Sequence, residues 1–197
     1  MLFPASGCFS SRHIFYYASK GTDNLFVYCL QCLTHRCDRI AQLLELKNAG
    51  RAISPKILQR HVKNGKVIDG YYNLLPGYVL LYSEEPVNTY LYRSQIDGII
   101  HTLGYGDYDR PLRGRDMDFA MEIYRMDGKI GELTAIREGD RARVEDNLFS
   151  AYEGKVEKID FRKGRAKVSF EFDGQERSVW VACNILTKID QTLTKNA

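Results

Sequence analysis

Residues 139–174 read GDRARVEDNLFSAYEGKVEKIDFRKGRAKVSFEFDG, and this stretch decides the fold of the 197-residue chain. Ala142 and Val144 alternate with charged neighbours, the period of a strand with one buried face. Asp146-Asn147 supplies a turn that needs left-handed backbone, and Gly154 stands where a second strand starts. Val156 and Ile159 have opposite parity, which a bulge between them reconciles. Phe161 to Arg165 is a hairpin connection with Gly164 available for positive φ. Ala166, Val168, Phe170 and Phe172 then point one way in a third strand, and Asp173-Gly174 turns into a fourth, where Val179, Val181 and Cys183 share a face. Four short antiparallel strands hide their edges by curling into a small barrel.

Working outward, the preceding sequence is of mixed type. Leu25 to Leu33 reads as a buried strand. Thr34 is placed to cap a helix from Arg36 to Leu46, with Cys37, Ile40, Ala41 and Leu44 at helical spacing, stopped by Asn48-Ala-Gly50. Ser54-Pro55 reads as the start of a short helix carrying Ile57 and Leu58. Asn64-Gly65 is a hairpin dipeptide that leads into a strand from Lys66 to Tyr72. Leu74-Leu-Pro-Gly-Tyr-Val-Leu-Leu81 is a turn and an apolar strand. Pro86 to Gln95 is a helix, Asp97-Gly-Ile-Ile100 opens the last strand of this part, and Gly104 to Pro111 is a loop. Arg115 to Met126 is a helix with Met117, Ala120, Met121 and Tyr124 at its apolar spacing. The expected fold class is α+β. The chain divides into an extension (1–24), an α+β domain of antiparallel sheet and flanking helices (25–128), a linker (129–137), an SH3-like barrel (138–190) and a tail (191–197).

Two stretches carry a family resemblance. Arg141 to Val144, Asp146-Asn-Leu-Phe149, Tyr152-Glu-Gly-Lys-Val156 and Ile159-Asp160 before a basic hairpin resemble the KOW motif, the barrel that ends the NusG family of bacterial transcription factors. Leu75-Pro-Gly-Tyr78 with its apolar strand resembles the signature of that family's N-terminal NGN domain. Val27, His35 and Asn147 depart from the family pattern. The basic hairpin Asp160 to Val168 looks most like the specialised LoaP branch, and together with the long stretch from Ala49 to Tyr72 and those departures it favours an operon-restricted member of the family.

The resemblance implies roles. Tyr28, Gln31, Leu75, Pro76, Tyr78 and Leu80 would form a face for the clamp helices of RNA polymerase, with the opposite end of the domain reaching the gate loop. Thr89-Tyr-Leu-Tyr92 occupies that region. Phe149 would be the barrel's contact to ribosomal protein S10 or Rho. Recognition of a leader RNA hairpin, or of DNA, would fall to Arg60, Lys63 and Lys66 and to Arg162, Lys163, Arg165 and Lys167. The function implied is operon-restricted antitermination. The alternatives are the general factor that couples polymerase to ribosome or Rho, and a KOW RNA-binding protein that never touches polymerase.

The resemblance implies a monomer, and composition agrees with a cytoplasmic protein. A formal charge of +3 leaves nucleic-acid contact to local patches, and five cysteines do not read as a disulfide framework. No phosphate loop, nucleophile elbow or His-Glu-x-x-His motif marks an enzyme. Cys29, Cys32, Cys37 and His35 have ligand-like spacing, but a strand puts Cys29 and Cys32 on opposite faces and no second pair completes a site. Core thiols, with no metal and no cofactor, are the expectation.

Overall fold

The computed structural model describes residues 25–104, 110–138, 141–145, 148–149 and 155–187. The expected extension and tail, the Asp146-Asn147 turn, Tyr152 and Gly154 lie outside them. The fold is α+β. A four-stranded sheet is built from β1 (Phe26–Cys32), β2 (Arg51–Ile53), β5 (Tyr78–Ser83) and β6 (Ile99–Thr102) in the order β2-β5-β1-β6. β1 pairs antiparallel with β5 from Phe26 opposite Ser83 to Gln31 opposite Tyr78.

Strand alternation gives this sheet two buried faces. Tyr28, Leu30, Val79 and Leu81 meet Ile40, Ala41 and Leu44 of α1 (Cys37–Leu46). Val27, Cys29, Leu80 and Tyr82 face the other way, toward Phe119, Ala120 and Ile123 of α3 (Gly114–Arg125). The Tyr82 hydroxyl donates to the Ala120 carbonyl at 2.7 Å, so the buried phenol is satisfied. α1 ends where expected: Asn48 and Gly50 have φ of 56° and 126°. A Cβ at Gly50 would stand 2.2 Å from the Tyr82 carbonyl oxygen, so only glycine fits. α2 (Thr89–Gln95) is capped by the Asn88 side chain, which accepts from the Tyr90 amide.

Two expectations for this half are corrected. The segment after Ser54-Pro55 is not a helix but β3 (Lys56–Lys63), which runs through Asn64-Gly65 into β4 (Lys66–Asn73). Alternation with β4 and burial of Ile57 against the main core override the local start signal. Thr34 caps nothing by its side chain; it opens a single 3-10 turn, Thr34–Arg36, that leads into α1.

The second half is a five-stranded sheet in the order β10-β11-β12-β8-β9, from β8 (Leu133–Glu138), β9 (Arg141–Glu145), β10 (Lys155–Asp160), β11 (Arg165–Phe172) and β12 (Gln175–Thr187). The register shift between Val156 and Lys158 supplies the anticipated bulge, and Gly164 takes φ 58°. β9 approaches β10 and curls the sheet toward closure. Residues 129–137, read as a linker, carry β7 (Lys129–Ile130), which pairs with β3, and most of β8, which pairs in parallel with the end of β12. Connecting chain is thus sewn into both halves. Among the described residues, no helix is long and apolar enough to cross a membrane.

One apolar core runs through both halves. Phe119 stacks on Phe170 with centroids 5.3 Å apart and planes at 12°, and it lies 5.5 Å from Phe172. α3 is therefore buried on two sides, against its own sheet and against the barrel. The spacing of Met117, Ala120, Met121 and Tyr124 leaves out Phe119 and Ile123, both in the shared core, and Phe119 carries the ring contacts to the barrel.

Candidate functional site

The site begins at the turn Leu75-Pro76-Gly77-Tyr78. Proline at its second position sets φ, and Gly77 at its third has φ 86°. The Tyr78 amide closes it onto the Leu75 carbonyl at 3.1 Å. The Gly77 carbonyl accepts from the Cys32 amide at 2.7 Å, which ties the turn to β1. Pro76 is exposed at the tip while Leu75 is buried. Register sets Gln31 beside Tyr78 and Cys29 beside Leu80, so these four share a face. Tyr28 does not join them. It lies on the α1 side, where its hydroxyl accepts from the Val87 amide at 3.0 Å.

The barrel covers this face. Tyr78 is only 8% exposed. Phe172 meets its ring edge-on at 6.4 Å. The Arg177 guanidinium lies 4.9 Å over the same ring and donates to the Tyr78 hydroxyl at 3.2 Å. On α3 the Asp116 carboxylate accepts from the Asp173 amide at 3.2 Å. Burial, with Asp173 and Glu171 nearby, holds the Asp116 carboxyl above the usual carboxylate range, although that amide bond opposes the shift. The face that the resemblance implies around Pro76 is closed in the structure, with Leu80 fully inside. Phe149, which the resemblance makes the barrel's contact to S10 or Rho, is 1% exposed and packs edge-on against Phe170 at 5.6 Å. The residues that sequence reasoning passed over are Phe119, Asp116 and Arg177. Phe119 and Ile123, four apart on a helix already apolar elsewhere, were the available signal.

The basic residues divide into engaged and unengaged. Arg60 makes a bidentate pair with Asp69, both bonds 2.8 Å, and reaches Glu132 at 3.0 Å. The Arg60 hydrogen bond holds Asp69 below its ordinary range. Arg165 approaches Asp160 at 3.3 Å and lies 4.3 Å over the Trp180 ring. Lys167 pairs with Glu157 at 2.6 Å, and Lys163 stands 3.8 Å from Asp160. Lys63, Lys66 and Arg162 are exposed and make no ion pair among the described residues. The two basic clusters adjoin in space: a Cβ at Gly164 would be 2.9 Å from Arg60 Nη1.

Burial pushes the Cys29 thiol well up and Cys32 up to about 12. Cys29 and Cys32 lie on opposite sides of the sheet, and the four cysteines among the described residues are free thiols. Among those residues no three His, Cys, Asp or Glu side chains converge as metal ligands. An open cleft of about 470 Å³ beside α1 has charged walls, in which Lys56 pairs with Asp38 and Arg51 with Asp127.

Sheet, flanking helices, Pro-Gly turn and appended five-stranded barrel together define a two-part α+β protein whose most distinctive face lies between the parts. No protein-family model matches the chain. It is similar to proteins named transcription termination/antitermination protein NusG. With that of Buchnera aphidicola subsp. Baizongia pistaciae it shares 29% identity over 164 residues, 77% of this chain and 90% of the relative. The protein of Borreliella burgdorferi is 24% identical over 65% of this chain and 74% of its own. That of Escherichia coli is 31% identical over 53% and 59%. A solved structure titled "Domain interaction in Thermotoga maritima NusG" aligns over 80% of this chain and 93% of that one, with TM-score 0.50 and 13% identity, which is a likeness of fold. The sequence similarities to these relatives support the NusG family, and the structural likeness supports the fold.

Proposed function

We propose that this chain is a NusG-type transcription elongation factor of the cytoplasm that binds RNA polymerase and promotes processive antitermination at a restricted set of operons. The observation that carries the reading is the Leu75-Pro76-Gly77-Tyr78 turn, fixed to β1 and presenting Tyr78 and Gln31 on one face. Such an apolar, aromatic face fits the polymerase clamp. No catalytic step is required: binding energy applied to one polymerase conformation shifts its equilibrium by the differential affinity.

In the structure described, the barrel occupies that face. Polymerase binding therefore requires the barrel to leave, exposing Phe119, Phe172 and Tyr78. Exposing one such ring costs on the order of 2–3 kcal/mol, so polymerase contacts must offset several. Release would also uncover Phe149's neighbour Phe170, and with it the barrel surface suited to S10, Rho or another partner. The restriction to particular operons rests on the LoaP-like basic hairpin and the 49–72 stretch. The second reading, a general factor, is supported by the shared name of the relatives, which joins termination with antitermination.

The test is in vitro transcription with purified polymerase on templates carrying an intrinsic terminator. The specialist reading expects increased read-through only where a particular leader precedes the terminator. Equal effects on every template would favour the general factor, and no effect on any template would remove both.

A further inference from the structure

The outer strand and the tip of the β3–β4 ribbon are largely exposed. Its base is held by Ile57, fully buried, and by the pairing of β3 with β7. Its inner strand β3 also lies against β12 and reaches Glu132 through Arg60, while the outer strand, β4, is a sheet edge and the tip is exposed. Asn64 and Gly65, with φ of 52° and 73°, turn it tightly. The register sets Lys63 directly opposite Lys66, both exposed, with no acidic partner among the described residues. Like charges directly opposite destabilise a hairpin, and a polyanion lying across the tip removes that repulsion. The ribbon carries Lys56, Arg60, Lys63 and Lys66 against a single carboxylate, Asp69.

Its apolar side chains are equally unused. Val67 is 62% exposed, Tyr71 51%, Ile68 47% and Tyr72 46%. Tyr72 and Ile68 share one face of β4 with Gly70 between them. The Tyr72 ring leans over that glycine, whose Cβ would lie 3.3 Å from it, and meets His61 edge-on at 5.1 Å. The result is a supported aromatic surface, backed by a ring and a backbone, on the same face of the ribbon as two unengaged ammonium groups six residues along the strand, roughly 20 Å at the rise of extended chain, a span of a few nucleotides. A flat ring flanked by mobile cations is what an unpaired nucleotide strand requires: a surface for the base and charge for the phosphates.

We propose that the ribbon is a single-strand nucleic-acid contact, in which Lys63 and Lys66 hold phosphates and Tyr72 stacks an unpaired base. The inference rests on the nucleic-acid part of the reading above, and it moves the contact from the barrel hairpin, where Arg165 and Lys167 are already ion-paired, to the ribbon. Unpaired RNA and an unpaired DNA strand share this chemistry.

The experiment is fluorescence anisotropy of the full chain, without polymerase, against labelled oligouridine, oligothymidine and a DNA duplex of equal length, across a salt series. A polymerase-binding failure and a failure here are thereby separate results. Single strands are expected to bind more tightly than duplex, and the RNA and DNA arms show which strand is preferred. Lys63→Glu with Lys66→Glu should weaken binding at least tenfold and shallow the log–log salt slope by roughly 1.4, the value for two phosphates on a single strand. Tyr72→Ala should weaken it roughly 5- to 150-fold, from about 1–3 kcal/mol of stacking per base, while Tyr72→Phe keeps the affinity. Circular dichroism and urea midpoints confirm that each variant folds. Equal affinity for duplex, unchanged affinity in the lysine variant, or no binding to any polynucleotide would overturn the proposal; the last outcome would leave the apolar edge to a protein partner.

Discussion

Arg177 of the barrel both caps the ring of Tyr78, at 4.9 Å, and donates to its hydroxyl, at 3.2 Å. One side chain from β12 thus holds the residue at the centre of the proposed polymerase face. The hold is incomplete: the buried Arg177 Nε has no hydrogen-bond partner among the described residues, and an unsatisfied buried donor costs about 1–3 kcal/mol. The contact is stabilising and releasable at once. Arg177→Ala should lower the stability of the closed arrangement by about 1–2 kcal/mol, from the cation–π and hydrogen-bond contributions together. Hydrogen exchange should then quicken at β5 and at the barrel face of α3 before it quickens at α1. Uniform quickening across the chain would show that Arg177 supports the whole fold.

Phe119 has barrel rings on one side and sits on the helix that covers the sheet on the other. Phe119→Ala should cost about 3–5 kcal/mol in urea unfolding, the range for a buried aromatic truncated in a packed core. A loss under 1 kcal/mol would mean that the two halves do not share a core in solution.

Acidification should tighten the closed arrangement through Asp116. Its folded-state value is raised above the ordinary 3.8, first by burial and then by Asp173 and Glu171. The folded state therefore holds the proton more firmly than the unfolded state. The resulting stability is fully present below the unfolded value and is lost as pH rises through the folded one. Urea midpoints measured upward from the ordinary carboxylate value should show this fall, and Asp116→Asn should flatten it. An unchanged slope in the variant would assign the pH dependence to other carboxylates.

Gly50→Ala should be among the most damaging single substitutions. The new methyl would stand 2.2 Å from the Tyr82 carbonyl oxygen at φ 126°, so the β2–β5 pairing must shift. A loss above about 2 kcal/mol is expected from strain of this kind, read from the thermal midpoint.

Much of the fold was legible because period and turn chemistry agree. β11 and its bulged partner β10, the Asn64-Gly65 hairpin and α1 were all read from alternation, spacing and dipeptides. Ser54-Pro55 misled because a helix start signal is local, whereas β3 is fixed by pairing with β4 and by Ile57 in a distant core. The candidate face was legible as a turn but not as a closed surface. Nothing in Leu75-Pro76-Gly77-Tyr78 says that Phe172 and Arg177, about a hundred residues later, will lie on it. Likewise the charge of Arg60, Arg165 and Lys167 was visible, but their carboxylate partners were not: Glu132 is remote from Arg60, and the pairings of Asp160 and Glu157 depend on β10–β11 register.

The most direct test of the central claim is capture of bacterial core RNA polymerase by the full chain, by Arg177→Ala and by Tyr78→Ala, each verified as folded. The account predicts capture by the full chain, stronger capture by Arg177→Ala because the face opens more readily, and loss of capture with Tyr78→Ala. Equal capture by all three would contradict the assignment of the face, and no capture by any of them would contradict the reading of this chain as a polymerase-binding factor.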